Sequence, residues 1–215
     1  VGQGDCFVAD TKSGAIIFDG GSSSEDQVGR YRILPYMKYL GYQKIQIAVI
    51  SHMDIDHYSG IKELLEMGKI KYLGLPEIPK DETMKKIIGI AKKRGTTIFY
   101  LSRGRQITTK DGSLKVLHPQ KNSQMEKNAA SLVMQGKILG YRVLLTGDVE
   151  KEGEEELLSE ELERADILKA AHHGSKNSTS NEFLQKVQPK QTVISCGKQN
   201  RYGHPHLETI HRLQT

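Results

Sequence analysis

The 215-residue sequence predicts a mixed α/β fold, in which apolar strands alternate with amphipathic helices. The clearest unit starts with residues 45–50, an almost wholly apolar run rich in β-branched side chains, which is typical of a strand covered on both faces. It is followed by Ile61, Leu64 and Leu65 at helical spacing, and Gly68 marks the end of that helix. The second observation is repetition, because three later apolar strands also end in His or Asp residues before a turn.

Hydrophobic periodicity and glycine or proline boundaries predict the remaining elements. In the first half these are a hairpin with strands at residues 6–9 and 15–18, a helix between Pro35 and Gly41, a strand at 70–75 and a helix at 81–94. In the second half they are strands at 96–100, 106–108 and 113–117, a hairpin of strands 130–134 and 138–146 around a turn at 135–137, a solvated acidic helix at 150–164, a strand at 167–171, a helix at 181–187, a strand at 192–196 and a last helix after His206. With no repeat or linker in the sequence, we predict one domain over residues 1–215.

The composition, with 37% hydrophobic and 27% charged residues, is that of a globular protein with a sizeable core. No apolar run has transmembrane length and no signal peptide is present, so a membrane channel is not encoded here. The net charge of +5 tolerates a polyanionic partner without demanding one. Cys6 and Cys196 lack zinc-ribbon spacing and are interpreted as buried thiols. Because the chain starts at Val1, we expect a piece of a longer protein.

Residues 51–57, Ser-His-Met-Asp-Ile-Asp-His, concentrate metal-competent side chains at a predicted strand-to-helix turn. Side chains two positions apart in an extended segment point the same way, so His52 and Asp54 can converge on one ion. Asp56 and His57 lie beyond the turn and can face a second ion. One such residue alone would more often be a helix cap, but four within six positions favour a metal site.

Metal-competent residues also follow three later strands: Asp148, then His172 with His173, then His204 with His206. If these loops gather at one sheet edge with residues 52–57, they build a dinuclear site. His172 and His173 would point to opposite sides if both remained in a strand, and His172 is slightly favoured as the ligand. For His206, capping of the last helix is the preferred interpretation.

Several ordered motifs resemble the metallo-β-lactamase superfamily: His-x-Asp-x-Asp-His at 52–57, Thr-Gly-Asp at 146–148, His-His-Gly-Ser at 172–175 and Tyr-Gly-His-Pro at 202–205. More narrowly, Val-Gly-Gln-Gly-Asp at 1–5, Phe-Asp-Gly-Gly at 18–21 and residues 200–206 resemble the C-terminal hydrolase domain of ComEC-type DNA-internalisation proteins. Asp54 stands where the superfamily usually has a second histidine. The superfamily's histidine before the bridging Asp has no convincing match; His118 lies in the right interval, but His172 or His173 more plausibly fills that vacancy.

The resemblance implies a four-layer αββα sandwich with a metal site at its sheet edge. It also implies a metal-dependent hydrolase of DNA phosphodiesters that acts during DNA uptake. Its partners would be DNA, in single-stranded form, and the membrane-channel portion of the same full-length protein. The domain would then lie on the extracytoplasmic face of a bacterial cell membrane.

We expect two divalent metal ions, Zn²⁺ or Mn²⁺, with Asp54 making the site harder and so favouring Mn²⁺ more than a His-rich zinc site does. The first ion is assigned to His52, Asp54 and one of His172 and His173; the second is assigned to Asp56, His57 and His204; Asp148 bridges the two. A water shared by the ions is the expected nucleophile, which Asp56 orients for in-line attack on phosphorus, so Asp56 and Asp148 are the catalytic candidates.

Ser175 and Lys176 are candidates for holding phosphate oxygens, although turn and helix-cap chemistry explains them equally well. Asp19, between a strand and two glycines, is expected to fix the site by hydrogen bonds rather than to bind metal. Three functions fit these residues: a DNA nuclease, a phosphodiesterase or phosphorylcholine-type esterase for small molecules, and a metal-bound DNA-binding or gating domain without catalysis. The complete ligand set argues against the third.

Overall fold

A computed structural model describes residues 1–125 and 128–214, and it contains two β-sheets with helices on their outer faces. The first sheet has five strands that lie side by side in chain order: β1 (Phe7–Thr11), β2 (Gly14–Phe18), β3 (Ile45–Val49), β4 (Ile70–Pro76) and β5 (Thr97–Leu101). The β1–β2 pair is antiparallel, and the three following pairs are parallel. Parallel neighbours need crossover connections, which here are a π-helix (Gly29–Ile33) running into α1 (Leu34–Tyr39), then α2 (Ile55–Glu66) and α3 (Glu82–Lys93).

The second sheet has the order β11-β10-β9-β8-β7-β6. Its strands are β6 (Gln106–Thr109), β7 (Gly112–His118), β8 (Val133–Ile138), β9 (Tyr141–Leu145), β10 (Ile167–Lys169) and β11 (Gln191–Val193). Strands β6 to β9 are antiparallel neighbours, whereas β9, β10 and β11 run parallel. The parallel part is connected through α4 (Lys151–Leu158) and α5 (Asn181–Val187), and α6 (Leu207–Gln214) follows β11.

The main core lies between the two sheets, where Phe18 and Val49 pack in one cluster with Val116 and Met134. Alternate residues of the first sheet, such as Ile17, instead pack in the cluster that contains the buried residues of α2 and α3. A third cluster joins the outer face of the second sheet to α4 and α5. The αββα sandwich predicted from the sequence is therefore confirmed, and its parallel strands end at the edge that carries the candidate site.

The turn of the β8–β9 hairpin does not lie at residues 135–137, where the sequence predicted it. It lies at Leu139 and Gly140, which have the left-handed backbone (φ of 52° and 87°) that a two-residue hairpin turn requires. Gly136 stays inside β8 because it packs tightly on the neighbouring strand. A Cβ atom there would lie 2.1 Å from the carbonyl oxygen of Ser113.

The acidic helix predicted at residues 150–164 is shorter and less solvated than expected. It comprises Lys151–Leu158 only, and Glu154 within it is buried. The Glu154 carboxylate accepts hydrogen bonds from the backbone N–H groups of Thr179 (2.6 Å) and Ser180 (2.8 Å). One acidic side chain therefore ties α4 to the start of α5 instead of facing water.

Cys6 and Cys196 are free thiols and both are half-buried, which corrects the interpretation of buried thiols. Cys6 comes just before the edge strand β1, and Cys196 follows the edge strand β11, so neither lies in the interior of a sheet. Among the helices that the structure describes, none has both the length and the apolar character needed to cross a membrane.

Candidate metal centre

The centre of the site is the turn between β3 and α2. Asp54 is the N-cap residue of α2, with extended backbone (φ −96°, ψ 147°), and its side chain does not cap the helix. The capping contacts come from its carbonyl oxygen, which accepts hydrogen bonds from the N–H groups of His57 (3.0 Å) and Tyr58 (3.1 Å). Asp56 and His57 therefore occupy the first turn of the helix.

Two glycines let the N-terminal segment and the end of β2 approach this turn. A Cβ atom at Gly21 would lie 2.5 Å from the backbone nitrogen of His57, and one at Gly4 would lie 2.6 Å from the carbonyl oxygen of Asp56. Backbone hydrogen bonds run from Asp5 N to Asp56 O (3.0 Å) and from Gly20 N to His57 O (2.8 Å). The two glycine-containing motifs thus hold the start of α2 in place.

The other half of the site comes from the neighbouring parallel strands β9 and β10. Asp148 follows β9, and His172 and His173 follow β10 in a 3₁₀ turn at Ala171–Gly174. Both histidines have left-handed backbone (φ of 48° and 53°), a strained conformation that is concentrated at functional sites. This turn brings both side chains to the same carboxylate oxygen: Nε2 lies 3.9 Å from Asp148 Oδ2 for His172 and 3.3 Å for His173.

Among the described residues, three groups of candidate ligands contain His57, and one of them is completed by Asp5 and Asp19. The two further groups combine His57 with residues that the sequence predicted as ligands. In one, ligand atoms of His52, His57 and Asp148 all lie within 4.8 Å of one another; in the other, those of Asp56, His57 and His173 do. His57 Nε2 lies 3.1 Å from Asp148 Oδ2, and His173 Nε2 lies 3.3 Å from Asp56 Oδ2. The side chains that converge here therefore form a candidate site for divalent metal.

The donor atoms themselves point to a bound cation. The Nε2 atoms of His52, His57 and His173 are all buried and have no hydrogen-bond partner. Buried polar atoms are almost always hydrogen-bonded, and three buried imidazole nitrogens without a hydrogen bond beside two carboxylates form a donor set that suits a divalent metal ion.

The opposite nitrogen of each of these rings is held by a protein oxygen. His57 Nδ1 lies 2.9 Å from Asp19 Oδ2, and His173 Nδ1 lies 2.8 Å from the carbonyl oxygen of Ser195. His52 Nδ1 lies 3.0 Å from the hydroxyl of Ser51. Such contacts fix the orientation of a metal-binding imidazole and leave Nε2 to face the ion.

The charged groups in the cluster strongly shift one another's pKa values. Burial alone would raise the pKa of Asp148, but His57 and Lys169 hold it well below its usual value. Burial would lower the pKa of His57, yet Asp148 and Asp19 raise it well above the usual value. At His52, burial and the neighbouring His57 lower the pKa to about 4. Protons and metal ions therefore compete for His57, because a metal-bound imidazole must be neutral.

The geometry divides the ligands differently from the sequence-based assignment. His52 was assigned to one ion and His57 to the other, but both belong to one group with Asp148. His173, rather than the slightly favoured His172, is the buried histidine at the centre, because His172 is turned towards Glu150, with Nδ1 2.9 Å from Glu150 Oε1.

Asp54 and His204 lie at the rim of the cluster. Asp54 Oδ2 is 3.8 Å from His52 Nε2, and the Asp54 side chain is partly exposed. The His204 ring is centred 5.4 Å from that of His172 and 6.2 Å from that of His173, and burial lowers the pKa of His204 to about 4. Their roles as ligands, like that of His172, stay predictions.

His118 belongs to none of the metal-ligand groups among the described residues. It is fully buried at the end of β7, with Nε2 2.7 Å from the carbonyl oxygen of Ala129 and Nδ1 3.4 Å from Glu156 Oε2. His206 directly precedes α6, as the capping interpretation expected, and its carbonyl oxygen accepts hydrogen bonds from the N–H groups of Thr209 and Ile210 (both 3.1 Å). Its Nδ1 also accepts a hydrogen bond from the N–H of Lys176 (3.1 Å). Its side chain therefore secures the turn after the histidine pair.

Ser175 and Lys176 lie in that same turn. The Ser175 hydroxyl is buried and accepts a hydrogen bond from the N–H of Asn177 (3.3 Å), which is the turn chemistry weighed against phosphate binding. Lys176 is exposed, beside a pocket that Glu150 also lines. Lys176 therefore remains the better candidate of the two for contacting a substrate.

Asp5, Lys169 and Glu150 belong to the site but were missed as site residues. Asp5 and Lys169 are fully buried and form a close ion pair behind Asp148. A signal existed for Lys169, since it is the charged residue in an otherwise apolar strand that leads into the histidine pair. Glu150 gave no signal, because it was interpreted as part of a solvated helix.

The model of the metallo-β-lactamase superfamily matches residues 1–198. The chain belongs to the metallo-β-lactamase superfamily. It is 37% identical over 233 residues to ComE operon protein 3 of Bacillus subtilis, and this match covers all of the chain and 30% of that protein. It is 29% identical to competence protein ComA of Neisseria gonorrhoeae, covering 95% of the chain and 27% of that protein.

This chain therefore spans less than a third of the length of these two relatives. Among solved structures, the metallo-β-lactamase fold protein YhfI of Bacillus subtilis superposes with a TM-score of 0.62. That match covers 96% of this chain and 85% of YhfI at 14% sequence identity, and it supports the fold alone.

Proposed function

We propose that the protein is a phosphodiester hydrolase with two metal ions that degrades DNA during DNA uptake. The observation that carries this proposal is the convergence of three buried imidazole nitrogens that make no hydrogen bond, from His52, His57 and His173, on the carboxylates of Asp56 and Asp148. The net charge of +5 suits a polyanionic substrate, and one relative bears the name of a competence protein.

Divalent cations bound there would lower the pKa of a coordinated water and neutralise charge that develops on a phosphoryl group. The chain's own residues set the geometry for this chemistry. Asp148 presents Oδ2 to His57, His173 and His172 together, so it is the carboxylate placed to join two ions. Asp56 Oδ2 is within 3.3 Å of His173 Nε2 and remains partly exposed, so it can accept a hydrogen bond from the attacking water.

We further propose that the substrate is single-stranded DNA and that the domain serves a membrane channel formed by the rest of a longer protein, on the extracytoplasmic face. This proposal is supported by the length of the relatives, of which the chain covers 30% and 27%. It is also supported by the motif at residues 200–206, which resembles the ComEC-type hydrolase domain.

The experiment compares end-labelled single-stranded and duplex DNA after the protein has been stripped of metal and supplied with Mn²⁺, Zn²⁺ or Mg²⁺. The wild type should cleave single-stranded DNA only when a metal is supplied. Asp148→Asn should lower the rate by more than about 100-fold, since loss even of a residue that only orients a metal ligand costs 10–100-fold. Asp26→Asn, which changes an exposed carboxylate, is the matched control.

Two results would contradict this assignment. Hydrolysis of bis-p-nitrophenyl phosphate without cleavage of any DNA would move the substrate to small phosphodiesters. Tight and salt-sensitive DNA binding without turnover under any of the three metals would identify a DNA-binding domain instead of a hydrolase.

A further inference from the structure

Lys169 is a lysine whose whole side chain is buried, at the end of β10. Its ammonium group contacts three oxygens: the carbonyl oxygen of Gly147 (2.5 Å), Oδ1 of Asp148 (3.2 Å) and, most closely, Oδ2 of Asp5. A buried ammonium group is costly unless it is paired and hydrogen-bonded, and here it donates hydrogen bonds to Gly147 and Asp148 and forms an ion pair with Asp5.

The two carboxylates around Lys169 are also buried. Asp5 directs Oδ1 towards His173 Nδ1, at 3.4 Å, while its Oδ2 meets the lysine. Ligand atoms of Asp5, Asp148 and His173 lie within 4.8 Å of one another, so these three side chains would by themselves resemble a further metal site. The ammonium group of Lys169 already supplies the cation at this place.

The two carboxylate oxygens of Asp148 consequently face different neighbours. Its Oδ1 faces Lys169, whereas its Oδ2 lies 3.1 Å from His57 Nε2 and 3.3 Å from His173 Nε2. A free carboxylate can rotate and bind a metal ion through both oxygens. Contact with the lysine removes this freedom, because rotation would break the Oδ1 contact.

We propose that Lys169 is a positioning residue of the metal centre, whose fixed positive charge holds Asp148 Oδ1 so that Oδ2 alone faces the metal ions. Asp5 forms an ion pair with Lys169 and so balances the positive charge of the lysine. The proposal rests on the metal centre of the proposed function but not on its DNA substrate.

The decisive variant is Asp5→Asn combined with Lys169→Met, because the net charge of the site stays that of the wild type while Asp148 loses its contact with the lysine. Its affinity for Mn²⁺ is measured by competition with a chelator, and the visible absorption of bound Co²⁺ reports on coordination geometry. The wild type is the first reference for these measurements. The single variant Asp5→Asn is the second, since it carries the same change at residue 5 and retains Lys169. No measurement requires DNA, so an absence of nuclease activity would leave this test unaffected.

We expect the double variant to bind Mn²⁺ about 10–100-fold more weakly than both references, with an altered Co²⁺ spectrum, as for other residues that orient a metal ligand. Wild-type affinity together with an unchanged spectrum would overturn the proposal and leave Lys169 as a structural ion pair. If the double variant failed to fold while Asp5→Asn folded and bound metal, Lys169 would be a folding residue, and the proposal would also be overturned.

Discussion

Asp19 Oδ2 lies 2.9 Å from His57 Nδ1, and the Asp19 Oδ1 atom accepts a hydrogen bond of 2.7 Å from the N–H of Ser51. One buried carboxylate therefore fixes both the imidazole that the two ligand groups share and the start of the turn that carries them. Asp19 itself has left-handed backbone (φ 56°), which directs its side chain back towards β3.

Replacement of Asp19 by Asn should lower metal affinity by about 10–100-fold, the usual cost of losing a partner that orients a ligand. The amide has one acceptor oxygen and cannot accept from both Ser51 and His57. Chelator competition measures the change, with Asp26→Asn as the exposed control. Equal affinities in the two variants would show that His57 needs no such support.

The two adjacent histidines should differ in their effect on metal binding. His173→Asn should lose at least about tenfold more affinity than His172→Asn, a difference within the range reported for groups that support metal sites. The reason is that His173 Nε2 is buried 3.3 Å from both Asp56 and Asp148, whereas His172 is partly exposed and 3.9 Å from Asp148. Calorimetric titration with Mn²⁺ measures the affinity of both variants. A larger loss in His172→Asn than in His173→Asn would show that His172 is the more important metal ligand.

Glu154→Gln should lower the free energy of unfolding by about 1–3 kcal/mol, because a charged acceptor of two backbone N–H groups is replaced by a neutral amide with one oxygen. The contacts at stake are those to Thr179 and Ser180. Urea denaturation at a fixed metal concentration provides the measurement. Glu155→Gln on the exposed face of α4 is the matched control and should change stability little.

His118 should make stability depend on pH. Burial lowers the pKa of His118 in the folded protein, so the unfolded chain binds a proton more readily. Its contribution is therefore present above the unfolded pKa of about 6.5 and is lost as the pH falls towards the folded pKa. The stability of the wild type relative to His118→Gln, measured in urea with a chelator present, should decrease from pH 8 to pH 5. A difference that does not vary with pH would contradict the neutral buried imidazole.

Residues 52–57 could be predicted from the sequence because their proximity follows from the local chain. The later candidate ligands could be placed at one sheet edge because each follows an apolar strand, and the family resemblance implied a sandwich with a metal site at that edge. The pairing of Asp5 with Lys169 could not be predicted, since it depends on how the N-terminal segment crosses the ends of β9 and β10. The choice between His172 and His173 depended on a left-handed turn that hydrophobic periodicity does not reveal.

The N-terminal segment meets residues 195–197 beside the metal centre. The hydroxyl of Ser195 donates to the carbonyl oxygen of Gly4 (2.6 Å), and the N–H of Gly197 donates to Gln3 Oε1 (2.8 Å). During synthesis the residues that hold His52 and His57 leave the ribosome long before Asp148 and His173, so an unfinished chain has only half of the ligands. Metal uptake thus requires the later ligands to have been synthesised and folded against the earlier ones, so the metal centre forms late in the folding of this domain.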